Sequence, residues 1–301
     1  MSSKDMLVYA GNPTFWGLPE TRDVEGKDIT IMGVPFDVGV TNRPGARFGP
    51  RSVREISIHD MKTHYPWRYD VKEKLDMADY GDVGYDIGIE QTSQMIEETY
   101  RHAGKIFGSG SKLLTIGGDH TIPYGMVRAA KEKYGKLSLL HIDSHQDSIA
   151  SEGVKISHAS FAHDLAEEGA IDAEKSVQAY IRTEMPNEFN YNIIYANEAM
   201  SEGPKALAEK VKSIIGDNPV YLSFDVDSLD PAFAPGTGTP VPGGPSTQEM
   251  RLFLSNLKGL NVVAADLVEV SPSYDTAQVT ALAGASVAKD LIYLMAEKID
   301  D

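Results

Sequence analysis

The sequence predicts an α/β protein in which helices flank a mainly parallel β-sheet. Short apolar runs alternate along the chain with longer segments of helical spacing, which is the pattern of parallel strands connected by helices. Residues 137–142 and 220–224 are almost wholly apolar, as expected for strands that are covered on both faces. No linker, repeat or low-complexity segment interrupts this order. We therefore predict one domain over residues 1–301, with residues 1–27 as an N-terminal extension packed on it.

In the first part of the chain, a β-rich run at residues 28–33 predicts a short strand that ends in glycine. Residues 50–57 begin with proline, which suits the first turn of a helix. Helical spacing predicts longer helices at 92–107 and 123–134, and the apolar run at 112–116 between them predicts a buried strand.

The rest of the chain continues the alternation of strands and helices. The strands are predicted at 137–142, 176–181, 192–196, 220–224 and 261–270, and the helices at 205–215, 247–257 and 277–297. In a parallel sheet of this kind, ligands bind beyond the carboxyl ends of the strands. Residues that directly follow a predicted strand are therefore the first candidates for a functional site.

Composition narrows the class of protein. The chain contains 42% hydrophobic residues and no cysteine, and its formal net charge is −16. The lack of cysteine excludes disulfides and thiolate metal sites and favours a cytoplasmic protein. The first residues show no signal-peptide pattern, and no apolar stretch predicts a membrane span. The acidic charge disfavours nucleic acid as a partner. It would attract a cationic substrate, and the alternative is that the protein is one of many soluble enzymes that are simply acidic.

Six side chains that could bind metal follow three of the predicted strands. They are His120 after strand 112–116, Asp143, His145 and Asp147 after strand 137–142, and Asp225 and Asp227 after strand 220–224. If these segments stay extended, alternate side chains project from one face, so that the trio converges and so does the pair. Grouping so many ionisable side chains at the end of an apolar strand is costly without a cation.

The number of donors predicts two metal ions. Four carboxylates and two imidazoles exceed what one ion needs, and a two-metal site can generate hydroxide from water at neutral pH. This donor set suits Mn²⁺ best, and Ni²⁺, Fe²⁺ or Co²⁺ would also fit, whereas Zn²⁺ usually takes fewer ligands. We interpret the neighbouring Asp119 as a cap of the helix that begins near Pro123.

Three further features lie near the predicted cleft. Glu269 ends the strand within 261–270 at the same sheet edge, and we interpret it as a carboxylate that binds the substrate. His158, eleven residues beyond Asp147, is predicted in a loop, where a surface histidine without function is the alternative. Residues 235–240 are rich in glycine and proline and lack the setting of a phosphate-binding loop, so we predict a rigid turn at the rim.

These residues resemble those of the ureohydrolases, the arginase–agmatinase family, and are most similar to the agmatinases. The resemblance extends from about residue 33 to residue 295. It rests on GVPFD at 33–37, RPGARFGP at 43–50, GGDH at 117–120, HIDSHQD at 141–147, SFDVDSLDP at 223–231 and VEVSP at 268–272. The joint match of six motifs in order is highly specific.

The resemblance implies an arginase-like fold, a three-layer αβα domain, and a pair of Mn²⁺ ions. One ion would be held by His120, Asp143, Asp147 and Asp225, and the other by Asp143, His145, Asp225 and Asp227, with Asp143 and Asp225 bridging. The hydroxide between the ions would attack a guanidinium carbon.

The same resemblance implies roles for three residues of the cleft. Asp147 would orient the hydroxide and take its proton, His158 would shuttle a proton, and Glu269 would bind the guanidinium. The substrate would be a small cationic guanidino compound, with agmatine as the first choice and urea and putrescine as the products. Such proteins are commonly trimers or hexamers, so we expect a homo-oligomer.

Departures from the family pattern bear on the substrate. Ser144 and Gln146 interrupt the usual Asp-Ala-His-Thr-Asp, and Ala159 and Ser160 replace the usual Gly-Thr after the histidine. Tyr180 stands where agmatinases typically have glycine, and we expect all of these positions near the pocket. Between residues 147 and 158 there is no asparagine of the kind with which arginases hold an amino-acid carboxylate, which argues against arginine.

Other functions stay open from the sequence. Guanidinobutyrate or a small or alkylated guanidine could replace agmatine as the substrate. Zinc deacetylases share the fold in general form but need one metal and fewer ligands. A partner subunit that has lost catalysis is a third possibility, which the altered loop around His158 keeps open.

Overall fold

A single parallel sheet organises the protein. The structure, a computed structural model, describes residues 11–59, 65–150 and 156–297. In these residues the strands are β1 (Ile29–Val34), β2 (Met77–Asp82), β3 (Lys112–Gly117), β4 (Ser138–Ile142), β5 (Val177–Ile181), β6 (Asn192–Tyr195), β7 (Val220–Asp225) and β8 (Val262–Val268). They pair in the order β2-β1-β3-β8-β7-β4-β5-β6, and every neighbouring pair is parallel. The predicted parallel α/β architecture is confirmed.

Helices cover both faces of this sheet. They are α1 (Gly49–Ser57), α2 (Gln91–Gly108), α3 (Pro123–Tyr134), α4 (Phe161–Glu167), α5 (Ala196–Glu202), α6 (Pro204–Ile215), α7 (Thr247–Asn256) and α8 (Val279–Ala296). Apolar side chains of α1, α5, α6, α7 and α8 form one core with the sheet, and those of α2, α3 and α4 form the other. The sheet is thus the middle layer of three, as the resemblance implies.

Local sequence signals explain where several helices begin. Pro50 and Pro123 lie in the first turns of α1 and α3, where a missing amide hydrogen breaks no helical bond. At α7, the Ser246 hydroxyl accepts a hydrogen bond from the Glu249 amide, and the Glu249 carboxylate accepts one from the Ser246 amide. These signals are local, so the predicted starts of these three helices agree with the structure to within one residue.

Three elements are missing from the sequence-based prediction. In β2 the buried Asp79 pairs with the Arg54 guanidinium at 2.8 Å, and this polar residue interrupts the apolar pattern of the strand. Helices α4 and α5 have seven residues each, too few to show a helical repeat. The strand predicted to reach residue 196 ends at Tyr195, because Ala196 already begins α5.

Residues 11–27 contact β2 and α1. The Phe15 side chain is fully buried, and its amide donates to Asp79 Oδ2 at 2.7 Å. The Trp16 amide donates to Ser57 Oγ at 2.8 Å. Residues 1–10 of the predicted N-terminal extension lie outside the described residues.

Helix α8 alone among the described helices is long and apolar enough to cross a membrane. Most of it is buried inside the protein, where Leu291, Ile292 and Met295 are almost completely inaccessible to solvent. Its apolar composition therefore belongs to a core helix.

Candidate metal centre

The four strands that precede the predicted site residues are neighbours in the sheet. β3, β8, β7 and β4 lie side by side, and all run in the same direction. Their carboxyl ends therefore share one edge, where the loops after them carry the candidate ligands. The sheet thus brings together segments that are more than a hundred residues apart in the chain.

The sequence analysis expected the ligands to converge because they lie on extended strands. For most of the ligands this expectation is wrong. β4 ends at Ile142, and Asp143, His145 and Asp147 lie in bends and a loop rather than on an extended strand. Asp225 is the last residue of β7, but Asp227 lies in a 3-10 helix, Val226–Ser228. In both segments a turn is stabilised by a hydrogen bond from a backbone amide to a ligand carboxylate two residues earlier. Asp143 Oδ1 accepts from the His145 amide at 2.6 Å, and Asp225 Oδ1 accepts from the Asp227 amide at 2.7 Å.

Four donor atoms of the first cluster face one point. His120 Nδ1 lies 3.0 Å from Asp143 Oδ2, 3.0 Å from Asp147 Oδ2 and 3.2 Å from Asp225 Oδ2. The imidazole of His120 is fully buried, and its Nδ1 makes no hydrogen bond of acceptable geometry to these oxygens. The three carboxylates outweigh the effect of burial, which disfavours the charged ring, and hold the pKa of His120 well above its ordinary value.

The hydrogen bonds behind His120 determine which ring nitrogen carries hydrogen. Ser223 Oγ donates its one hydrogen to Asp266 Oδ1 at 2.7 Å, so it must accept from His120 Nε2, which is also 2.7 Å away. The raised pKa keeps a second proton on Nδ1, and without that proton the neutral ring presents the Nδ1 lone pair to three carboxylate oxygens. This arrangement is repulsive unless a cation lies between them, and a lone pair backed by such a bond is typical of a metal ligand.

A second cluster shares Asp143 with the first. His145 Nδ1 lies 3.1 Å from Asp227 Oδ2 and 3.4 Å from Asp143 Oδ1. The donor atoms of these three residues all lie within 4.8 Å of one another. Asp143, Asp225 and Asp227 are all buried, and burial together with neighbouring carboxylates raises the pKa of Asp225 and Asp227. The six predicted ligands thus form two adjoining clusters that fit two divalent cations.

His141 supports the centre although the sequence analysis gave it no role. Gln178 Nε2 donates to His141 Nδ1 at 3.0 Å, so His141 Nε2 carries the hydrogen and donates to Asp143 Oδ2 at 2.7 Å. The bond orients the shared carboxylate and stabilises its charge. A histidine within an otherwise apolar strand was the signal that could have identified this residue.

His158 and Glu269 lie together beside the first cluster. His158 occupies a turn, as predicted, and its Nδ1 is 3.1 Å from Glu269 Oε1. The Thr41 amide donates to His158 Nε2 at 3.0 Å, so in the neutral ring Nδ1 carries the hydrogen and donates to Glu269. Burial lowers the pKa of His158, but the hydrogen bond and charge of Glu269 outweigh it and raise the pKa to about 9.

Glu269 connects this histidine to the metal ligands. Its Oε1 also accepts from the His120 amide at 3.0 Å, whereas its Oε2 makes no hydrogen bond to the described residues. The backbone of Glu269 has a φ of 63°, and that of Asp147 a φ of 46°. Such left-handed conformations cost about 1–3 kcal/mol each in residues other than glycine, and they are common at functional sites.

The interpretation of Asp119 as a helix cap is wrong. Its Oδ1 accepts from the Thr121 amide at 2.9 Å, and its Oδ2 accepts from the Gly39 amide at 2.8 Å. The first turn of α3 has no side-chain cap, since it begins with proline after Ile122. Asp119 instead connects the loop that carries His120 to the loop that carries Thr41.

The residues that depart from the family pattern do not all lie at the pocket. Tyr180 is 1% exposed and packs on Phe253 of α7 at a ring distance of 5.6 Å, so its expected place at the pocket is wrong. Ser160, which directly precedes α4, donates from Oγ to Asp164 at 2.8 Å and is not among the residues that line the cavity. Ser144 Oγ is 2.7 Å from Asp227 Oδ1, a carboxylate of the predicted ligand set. Gln146 and Ala159 line the cavity, as expected.

A cavity of about 160 Å³ opens onto the two clusters. Asp147, Asp225, His145 and His158 line it, and Thr239 of the predicted turn at 235–240 lies at its rim. Thr239 Oγ1 is also 3.3 Å from Asp227 Oδ2. The cavity is therefore large enough for a small molecule and gives it access to both predicted metal positions.

Replacing Ser223 with alanine should weaken metal binding without removing a ligand. His120 Nε2 would lose its acceptor, and the loss of such a supporting bond typically costs about 10–100-fold in metal affinity. Isothermal titration with Mn²⁺ would measure the loss. The control is Ser176→Ala, which removes a buried serine at the opposite end of the sheet, where its hydroxyl accepts from the Leu139 amide. Equal affinities in the two variants would contradict the supporting role of Ser223.

Metal removal should destabilise the protein more at higher pH. Burial lowers the pKa of His145, but Asp143 and Asp227 outweigh it and raise the value to about 12, and the pKa of His120 is also raised. A histidine whose pKa is raised by folding stabilises the folded, metal-free protein. This stabilisation is full below pH 6.5, the ordinary pKa of histidine, and decreases as the pH rises towards the raised pKa. The raised pKa values of Asp225 and Asp227 act in the same direction.

The Tm difference between metal-loaded and chelated protein should therefore grow from pH 6.5 to about pH 9, since bound metal replaces these protons. Differential scanning calorimetry of both forms across this range would measure it. A difference that stays constant or shrinks with pH would show that protons do not stabilise the empty clusters.

Comparisons with known proteins agree with this geometry. Residues 27–293 match the model of the arginase family. The chain is 42% identical to an agmatinase of Chromobacterium violaceum over 295 residues, which is 97% of this chain and 91% of that protein. Its fold is similar to the crystal structure of a hypothetical agmatinase from Burkholderia thailandensis, with a TM-score of 0.92 and 40% identity over 97% of this chain and 93% of the other.

A further similar structure has a different name. The proclavaminate amidino hydrolase from Streptomyces clavuligerus has a TM-score of 0.91 and 31% identity over 97% of this chain and 99% of its own. The family-model match and the agmatinase relatives each cover most of the chain, and the two donor clusters lie where the parallel sheet places a functional site. The chain therefore belongs to the arginase family, whose members are binuclear metal enzymes that act on small guanidino substrates.

Proposed function

We propose that this protein hydrolyses agmatine to urea and putrescine at a pair of Mn²⁺ ions. The observation that carries the proposal is the pair of donor clusters sharing Asp143, at the floor of a cavity that also presents His158. Relatives named agmatinase, about 40% identical over most of the chain, support agmatine as the substrate. The net charge of −16 would attract this cation.

The contacts within the two clusters support a site for two ions. His120, Asp147 and the shared Asp143 and Asp225 would hold one ion, and His145 and Asp227 would hold the other with the same shared pair. Carboxylates with imidazoles favour Mn²⁺, with Ni²⁺ or Co²⁺ as alternatives. When bound, two such ions supply an activated water at neutral pH.

Glu269 is the group that we assign to the guanidinium. Its Oε1 is already held by the His120 amide and by His158, so the carboxylate is fixed in position. Its Oε2 makes no hydrogen bond to the described residues and can accept from a guanidinium N–H.

His158 and Asp147 are the groups that we assign to proton transfer. Breaking the C–N bond releases an amine, whose nitrogen needs a proton, and a protonated histidine beside the leaving group can give one. The proton of the neutral His158 ring is on Nδ1, where it is donated to Glu269 Oε1, because Nε2 accepts from the Thr41 amide. Asp147, whose Oδ2 lies 3.0 Å from His120 Nδ1, would accept the proton that the attacking water loses.

A screen of guanidino compounds tests the substrate. Purified protein loaded with Mn²⁺ or Ni²⁺ would be offered agmatine, arginine, 4-guanidinobutyrate and methylguanidine, with urea release as the readout. We expect urea from agmatine and none from arginine. Urea from another guanidine but not from agmatine would reject the proposed substrate. Urea from none of them, with activity appearing only on mixing with a related chain, would instead indicate a partner subunit without catalysis.

Three broader properties belong to the same proposal. We expect one domain over residues 1–301, a homo-oligomer that is a trimer or hexamer, and a cytoplasmic location. The lack of cysteine supports a reducing compartment. Sedimentation of the metal-loaded protein would measure the oligomeric state.

A further inference from the structure

Met185 forms part of the cavity wall and is attached there through Gln146. The Met185 amide donates to Gln146 Oε1 at 2.6 Å. Gln146 stands between the predicted ligands His145 and Asp147, and its side chain is 1% exposed. Gln146 thus links the metal-binding loop directly to the segment that closes one side of the cavity.

The orientation of the Gln146 amide group follows from its partners. The Met185 N–H needs an acceptor, so the oxygen must face it and the nitrogen must point away. That nitrogen, Nε2, is buried and has no hydrogen-bond partner. An unpaired buried donor disfavours folding, so a role in fold stability does not account for Gln146. Its satisfied contact with Met185 points to a role at the cavity.

The wall that Gln146 supports is apolar. Ile149, Ala159 and Met185 line the outer part of the cavity with hydrocarbon and a thioether, and Thr41 and Thr239 add neutral hydroxyl groups. In the described part of the chain, the cavity-lining carboxylates are those of Asp147 and Asp225, which belong to the metal centre. Among the described residues, the wall therefore offers contact to methylene groups and no counter-charge to a distal ammonium.

We propose that Gln146 is a positioning residue that holds Met185 as an apolar wall, and that the site thereby selects guanidines with a short aliphatic substituent, whatever charge the far end carries. The proposal rests on the guanidine hydrolysis proposed above and names its substrate class. Agmatine is one member of this class, and n-butylguanidine, with the same four carbons and no ammonium, is another.

Binding measurements test the class without requiring turnover. All isothermal titrations use the metal-loaded His158→Asn background, which should bind these compounds but turn them over about 10²–10⁴-fold more slowly. Agmatine and n-butylguanidine should then give Kd values within about fivefold of each other, the most that a solvent-exposed ion pair contributes. A Kd for agmatine that is more than about tenfold lower would show a paired ammonium and would overturn the proposal. Urea release is measured in parallel, so that failure of the proposed agmatine hydrolysis is seen separately from failure of this inference.

Variants test the role of Gln146 through a ratio of affinities. Methylguanidine is too short to contact the outer wall. The ratio of its Kd to that of n-butylguanidine therefore measures the contribution of the wall to binding, and a general loss of affinity for guanidines leaves the ratio unchanged. Gln146→Leu, which cannot accept from the Met185 amide, should lower this ratio about tenfold, as expected for lost burial of two methylene groups. Gln146→Glu keeps an acceptor in either protonation state and should preserve the ratio.

Two further measurements complete the test. Met185→Ser should lower the ratio as Gln146→Leu does, whereas Met185→Leu should preserve it, because the leucine retains an apolar wall. Metal content by elemental analysis should stay at the wild-type value in all four variants. An unchanged ratio in both Gln146→Leu and Met185→Ser, with metal content intact, would overturn the assignment of Gln146 and Met185.

Discussion

Replacing Asp225 with asparagine should abolish metal binding and turnover together. Asp225 Oδ2 lies 3.2 Å from His120 Nδ1, and its Oδ1 accepts from the Asp227 amide, so the residue supports both clusters. It is 2% exposed, so solvent compensates little for the loss of its negative charge. The amide that replaces it is neutral, which removes attraction for both cations. Elemental analysis should find fewer than two metal ions per chain, and urea release should fall below detection.

Asp230→Asn is the matched control for this variant. Asp230 lies five residues further along the same loop, and its carboxylate accepts from the Ala232 and Gly243 amides without reaching the clusters. This variant should retain both metal ions and turnover. Two ions per chain together with near-normal urea release in Asp225→Asn would rule out Asp225 as a shared ligand.

Replacing His158 with asparagine should leave the metal ions in place and slow the chemistry. His158 makes its contacts with Glu269 and Thr41 and with none of the six predicted ligands. Removing a general acid or base typically reduces kcat by about 10²–10⁴-fold. Metal content and kcat, measured on the same preparation, would separate this effect from loss of the centre.

His163→Asn controls for damage to the local structure around His158. His163 lies five residues further on in α4, is similarly buried and contacts Glu188 and Phe189 rather than the cavity. It should retain normal kcat and metal content. If His158→Asn turned over substrate at nearly the wild-type rate, the assigned proton transfer would have to involve another group.

Much of the fold could be predicted because its signals are local. Apolar runs such as β7 and proline-initiated helices such as α3 depend on a few neighbouring residues. β2 escaped prediction because its polar Asp79 is stabilised by Arg54, a partner that is distant in sequence. The parallel arrangement could be predicted because alternating strands and helices rarely form anything else.

The six predicted ligands also converge in the structure, although not through the expected strand geometry. Asp143 and Asp225 lie where strands end, so their common location follows from the parallel sheet. The turns after those strands are built by hydrogen bonds from backbone amides to the ligand carboxylates. The spacing of these residues contains no information on such bonds, so the sequence indicated the ligands but not their conformation.

By itself, the sequence determined the class of fold, the edge of the sheet that carries the site and the residues that can bind metal. Only the tertiary structure decided how those residues are supported and what surrounds them. The contact of His158 with Glu269 spans 111 residues, and that of His120 with Ser223 spans 103. Tyr180 points into the core, whereas Gln146 reaches Met185 at the cavity wall. The physical reason is that side-chain direction and hydrogen-bond partners depend on which strands are neighbours, and strand order is a property of the whole chain.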